Sequence, residues 1–422
     1  MSGRSRRRPA RKPEEAPSIP VANTTNEKHV VGASSFGLAI LGISVAAFFL
    51  RLLHVFQTGA VPSAVYLMGD AKGYFDWASR IAGGAWYGEE TFYQAPLYPY
   101  FLAVVISVFG ESVVAIRICQ CVLGATAVGL LGWATERRFG RAAGLVAAIG
   151  FALLPAAVYY DGLVQKASLA SFLLCLFLFA IARWGVAVPL GESDAQPRYP
   201  ALLNVFGAGV SLALLVLVRE NTLLWTPLPM IWLWLHQRRS TGEGSTNELT
   251  ARKRGLASCA YVAGLAVILF PVAARNASLG GEWSPTTFQA GPNFYIGNNQ
   301  NANGLYLPLV PGHETPLHER SDAVRLAERE SGRELTSREV SQFWFRKAGE
   351  EIGADPGRWL QLLAIKCVMV VNYFEVPDVE SLTVYRDASI VLLMFDRVWH
   401  FGTLSVLAAI GFMLTRSQWR AH

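Results

Sequence analysis

The sequence predicts an all-α polytopic membrane protein with about eight transmembrane helices and further helices lying at the interface. Three observations lead there. Of the 422 residues, 52% are hydrophobic and only 16% charged, where soluble domains carry about 25% charged residues. The mean hydropathy is +0.31. Several apolar runs approach the roughly 20 residues that a bilayer-crossing helix needs.

The net charge of +6 is no nucleic-acid footprint, because residues 1–35 hold seven basic residues against three acidic ones and so supply +4 of it. Rich in Arg, Pro and Ser, this tail reads as a disordered cytoplasmic segment that sets topology and attracts anionic lipid. A long polar stretch ahead of the first apolar run argues against a cleaved signal peptide. The five cysteines, Cys119, Cys121, Cys175, Cys259 and Cys367, sit in apolar runs. They read as small buried hydrophobes rather than metal ligands.

Phe36–Thr58 is the first span. The expected spans that follow are 113–135, 143–160, 163–184, 201–218, 222–235, 256–274 and 398–414. Two apolar runs, 96–110 and 360–371, are too short to cross and read as interfacial or re-entrant. Charge supports that choice. If 96–110 does not cross, the basic loops 136–141, 186–200 and 236–255 all fall on the side of the tail, as the positive-inside rule requires. The same reasoning places Arg416 and Arg420 there. The expected domains are then a tail (1–35), a membrane domain (36–274) with an extracytoplasmic loop (59–112), an extracytoplasmic segment (275–397), and a last span with a cytoplasmic end (398–422). Abundant Ala, Gly and Arg point to a bacterial inner (plasma) membrane.

The loop from Met68 to Pro99 carries the chemistry. Asp70, Tyr74 and Trp77 fall at i, i+4 and i+7, one face of a helix resting on the membrane, which Gly83-Gly84 ends. A carboxylate at that boundary is suited to take a proton from an acceptor or to hold a divalent metal; no other cofactor is called for. Asp is also a common N-cap, and spacing alone favours that plainer reading. Glu89 and Glu90 supply a second carboxylate or a solvated loop. At span ends, Lys166, Arg219 and Arg117 suit a lipid phosphate. The alternative is local pairing, Asp161 with Lys166 and Arg219 with Glu220, with snorkelling cations. Residues 291–304 combine aromatics with amides, so Asn293, Tyr295 and Asn298 suit a sugar, or form a turn-rich loop. Asn276-Ala277-Ser278 matches a glycosylation sequon, a short and weak pattern.

There is no Walker loop, no dinucleotide fingerprint, no H-E-x-x-H and no G-x-S-x-G. Nucleotide-driven transport, zinc hydrolysis and serine hydrolysis lack their residues. A lipid-linked sugar transporter and a non-enzymatic scaffold remain open as alternatives. The first wants pseudo-symmetric halves; the second would use 275–397 to bind a partner.

Asp70, Tyr74, Ala78, Gly84 and Gln94-Ala-Pro-Leu-Tyr-Pro, followed by Ala115-Ile-Arg-Ile-Cys-Gln and Arg137-Arg-Phe-Gly-Arg, resemble polytopic GT-C glycosyltransferases. The nearest group is the bacterial branch related to dolichyl-phosphate-mannose–protein mannosyltransferases and the lipid A aminoarabinose transferase. The resemblance is clearest over 36–185. It implies a GT-C-like fold and an inverting glycosyltransferase. Asp70 would be the general base, and a polyprenyl-phosphate sugar the donor. Lys166, Arg219 and Arg117 would hold the donor phosphate. Tyr74, Glu89, Glu90, Gln94, Tyr98, Asp161, Asn293, Tyr295 and Asn298 would line the substrates. The partners would be the lipid bilayer, the donor, and an extracytoplasmic acceptor that is protein, lipid or polysaccharide. Relatives carry an acidic residue just before the Pro-Leu-Tyr block, where this chain has Tyr93 and Gln94.

Overall fold

The computed structural model describes residues 24–184, 199–237, 247–280, 283–313, 316–377 and 379–416. Residues 1–23 of the basic tail and parts of the basic loops 186–200 and 236–255 lie outside them. Among the described residues the chain is all helical.

The first helix, α1 (Thr24–Thr58), begins twelve residues before the expected start at Phe36. A single turn, α2 (Pro62–Val65), leads to α3 (Gly69–Ala82) and α4 (Leu97–Phe109). Then come α5 (Val113–Phe139), α6 (Arg141–Ala152), α7 (Pro155–Asp161), α8 (Ala167–Trp184) and α9 (Tyr199–Val216). A 3-10 turn, Glu220–Trp225, precedes α10 (Leu228–Gln237) and the long α11 (Asn247–Gly280). The remainder is α12 (Ala290–Asn298), α13 (Pro316–Ser331), α14 (Ser337–Ala354), α15 (Pro356–Val370), α16 (Leu382–Ala388), α17 (Ile390–Phe395) and α18 (Phe401–Leu414).

Four helices are long and apolar enough to cross a membrane: Ser35–Thr58, Val113–Phe139, Ala167–Trp184 and Arg254–Gly280. A fifth crossing would be the pair α6 and α7, bent by 54°. The expected single span over 143–160 is thus a broken one. The cause is Pro155, which lacks an N–H and forces the preceding Leu154 out of helical geometry (ψ 112°). The runs expected at 201–218 and 398–414 appear as shorter apolar helices, and 222–235 divides between the 3-10 turn and α10. Length and composition therefore give four or five crossings among the described residues, short of the expected eight. At 1.5 Å per residue, α4 reaches about 20 Å and α15 about 22 Å, less than the ~30 Å hydrocarbon core.

One core joins α3, α4, α5, α8, α9 and α11 around Tyr74, Tyr98, Leu102, Ile116, Leu212 and Tyr261. Helices in lipid gain little from burying apolar surface against each other and rely on close packing. Accordingly α9 and α11 meet at glycines, and a β-carbon on Gly264 would stand 2.2 Å from the Phe206 carbonyl oxygen. The polar pattern over 321–351 resolves into α13 and α14, joined through Gly332. These two helices and their surroundings form a separate cluster on Ala323, Ala327, Val340, Phe343 and Trp344. Thr336 and Glu339 close a reciprocal capping box at the start of α14. Asp355 separates α14 from α15, and its side chain caps Arg358 N.

Candidate functional site

The site is built on the start of α3. Gly69 takes a positive φ of 53°, which turns the chain into the helix at a position a side chain would strain. The N-cap is Met68, which offers no capping oxygen. Asp70 is therefore a first-turn carboxylate and not the cap, and the helix dipole there favours its ionised form. One turn on, Tyr74 is buried, and its hydroxyl has no hydrogen-bond partner. Its ring meets Tyr98 edge to face, with centroids 5.3 Å apart. Tyr74 thus packs into the core with α4, and Trp77 lies partly buried against it.

Lys166 lies in the turn just before α8, its ammonium 5.8 Å from the Tyr74 ring centroid. Burial lowers the Lys166 pKa; Glu220, Asp70 and Glu319 oppose that while Arg219 adds to it. Burial likewise raises the Tyr74 phenol, reinforced by Asp70, Glu220 and Glu319 and opposed by Arg219. Three carboxylates and two cations, drawn from four separate stretches of the chain, thus act electrostatically on Tyr74 and Lys166. Arg219 is exposed at the turn after α9, and Glu220 accepts a hydrogen bond from the Thr287 hydroxyl at 3.2 Å.

Glu319, on the first turn of α13, is the member that sequence reasoning missed. Gln289 Nε2 donates to its Oε1 at 2.7 Å, and Tyr93 Oη approaches the same oxygen at 3.3 Å. The neighbouring Arg320 pairs with Glu90 at 2.5 Å. The first loop is fastened further by Arg275, which donates to the carbonyls of Tyr87 and Glu90 at 2.8 and 3.0 Å. Asn276 accepts from Phe92 N and donates to the carbonyls of Ser284 and Thr286. The sequon reading of Asn276 fails, because its side chain is buried and spent on this joint.

The other expected site residues are dispersed. Arg117 is buried and donates to the Ala64 carbonyl at 2.7 Å, with Tyr385 and Glu380 nearby. Asp161 is buried against Arg51 at 2.6 Å, so the expected pairing with Lys166 is replaced by one across the bundle. Tyr98 is fully buried and donates to Gln120 at 2.6 Å. Glu89 is exposed and Gln94 half-buried. In the 291–304 stretch, Asn293 is exposed. Tyr295 donates to Glu351 at 2.9 Å, and Asn298 Oδ1 accepts from Trp359 at 3.0 Å. Those last two side chains hold the outer helices together. Among the described residues no three His, Cys, Asp or Glu come together as a metal-ligand set.

A helical membrane protein with a mixed cluster of carboxylates and cations beside its first loop is the class these features define. A family profile described as dolichyl-phosphate-mannose-protein mannosyltransferase matches residues 93–243, a little over a third of the chain. Over those residues the chain is similar to that family of membrane glycosyltransferases. No curated protein sequence matches the chain.

Proposed function

We propose that the protein is an inverting glycosyltransferase. It moves a sugar from a polyprenyl-phosphate donor to an acceptor on the extracytoplasmic side of a bacterial inner membrane. The observation that carries this reading is the position of Lys166, 5.8 Å from the ring of Tyr74, itself one helical turn from Asp70, with Arg219 acting electrostatically on the same groups. That arrangement sets one base beside two cations, as a phosphate leaving group requires.

In the proposed step Asp70 takes the proton from an acceptor hydroxyl or amine. The freed oxygen or nitrogen attacks the anomeric carbon from the face opposite the phosphate. The carbon–oxygen bond to phosphate breaks, and polyprenyl phosphate leaves with the electron pair. Lys166 and Arg219 neutralise the charge that grows on it. Cations fixed in place before reaction stabilise such charge better than solvent does. Arg117 is proposed to shape the bundle beside Tyr98 rather than to reach that phosphate.

The test uses purified protein in nanodiscs with a panel of polyprenyl-phosphate sugars. Release of polyprenyl phosphate is followed for wild type and Asp70→Asn. Release by wild type alone is expected, with a loss of about a hundredfold or more in the variant, as for a removed general base. Equal release by both proteins overturns the role of Asp70. Movement of the donor across the bilayer without release would instead favour a transporter.

A further inference from the structure

Glu319 stands out among the charged groups outside the sequence-derived site. It comes from the 275–397 segment, yet its carboxylate faces residues of the first loop. Three neutral groups donate to it among the described residues: the Gln289 amide at 2.7 Å, the Tyr93 phenol at 3.3 Å, and the Tyr306 phenol at 3.5 Å from Oε2. O–H···O bonds ordinarily close to about 2.5–3.0 Å. Only the Gln289 bond is tight, so the carboxylate keeps acceptor capacity for shorter bonds from a ligand. An ionised carboxylate accepts through about four lone-pair sites. Burial and the neighbouring Glu319 charge both raise the Tyr93 phenol, which keeps it a proton donor.

A carboxylate, an amide and two phenol rings form the chemical set that reads a sugar. The carboxylate accepts from adjacent hydroxyls, the amide both donates and accepts, and the rings cover an apolar face. The cluster lies within electrostatic reach of Tyr74 and Lys166, where the leaving phosphate is placed.

We propose that Glu319, held by Gln289 and flanked by Tyr93 and Tyr306, binds vicinal hydroxyls of the transferred sugar. It is thereby the specificity-determining residue that α13 brings to the first loop. This rests on the glycosyltransferase reading and adds the division of labour within it. Lys166 and Arg219 take the phosphate, and Glu319 takes the sugar.

The test compares two ligands on the full chain in nanodiscs. One is polyprenyl phosphate without sugar; the other is the polyprenyl-phosphate sugar that wild type binds tightest from a panel of hexoses and pentoses. Glu319→Gln is expected to weaken the sugar-bearing lipid about tenfold or more, the loss of charge-assisted hydrogen bonds, and to leave the bare lipid unchanged. Glu330→Gln, on the same helix but paired with Lys347, should alter neither and controls for the placement of α13. Lys166→Gln should weaken both lipids. Equal weakening of both lipids by Glu319→Gln, or of neither, overturns the proposal while leaving the glycosyltransferase reading intact. Wild type that binds neither lipid removes that reading, and this one with it.

Discussion

Arg51 and Asp161, 110 residues apart, form an ion pair at 2.6 Å in which neither side chain exceeds 4% exposure. Gly124 makes room for it, since a β-carbon there would stand 2.0 Å from Asp161 Oδ2. Breaking one half of such a pair strands a charge. Asp161→Asn is therefore expected to cost about 3–5 kcal/mol, and Gly124→Ala to displace the pair. Replacing both partners by apolar residues, Arg51→Met with Asp161→Leu, should recover most of the loss. Thermal unfolding in nanodiscs reads this, and an unchanged Asp161→Asn melting point would exclude a structural role for the pair.

Lys166 gives a pH dependence with a definite sign. Burial lowers its pKa from the ordinary 10.5, so it surrenders its charge at a lower pH than a solvated lysine does. Affinity for bare polyprenyl phosphate should fall with rising pH before the usual lysine range is reached. Lys166→Arg should flatten that fall, because a guanidinium stays charged throughout. A binding curve for wild type that matches the variant at every pH would show that Lys166 does not meet the phosphate.

The contact between α9 and α11 depends on Gly209 and Gly264, each of whose β-carbons would sit 2.2 Å from a backbone oxygen of the other helix. Alanine at Gly264 should force the helices apart at a cost of about 1–3 kcal/mol, and leucine should abolish stable folding. Detergent-resistant yield after purification checks both.

Asn276 joins the first loop to the 284–286 turn through three backbone groups. Asn276→Ala leaves those groups without their partner and should cost at least about 2 kcal/mol. Limited proteolysis should then cut residues 83–92 faster than in wild type. Expression in a host with N-glycosylation machinery should give a protein whose mobility glycosidase treatment does not change.

The helical class was readable because it rests on local signals. Apolar runs mark helices, and Gly83-Gly84 marks the end of α3. The break between α6 and α7 was also signalled, by Pro155, but hydropathy averages across it. Glu319 had no local signal. It sits in a charged amphipathic helix, where one more glutamate reads as solvated surface, and only tertiary packing sets it against Tyr93 and Gln289. Tyr98 and Asp161 failed in the opposite way. Their residue types suit a sugar, yet the bundle buries one on Gln120 and the other on Arg51.

The clamp of Arg275 on the Tyr87 carbonyl closes a gap of 188 residues. A ribosome adding about 5–20 residues per second takes about 10–40 s to cover that distance. Through that interval α3 and the first loop have been made without the groups that fasten them. The protein's biosynthesis thus divides into two stages, with the early helices made first and the contacts of the first loop with later helices closed only after α13 emerges. A nascent chain halted between the two would carry Asp70 and Lys166 and still lack Glu319.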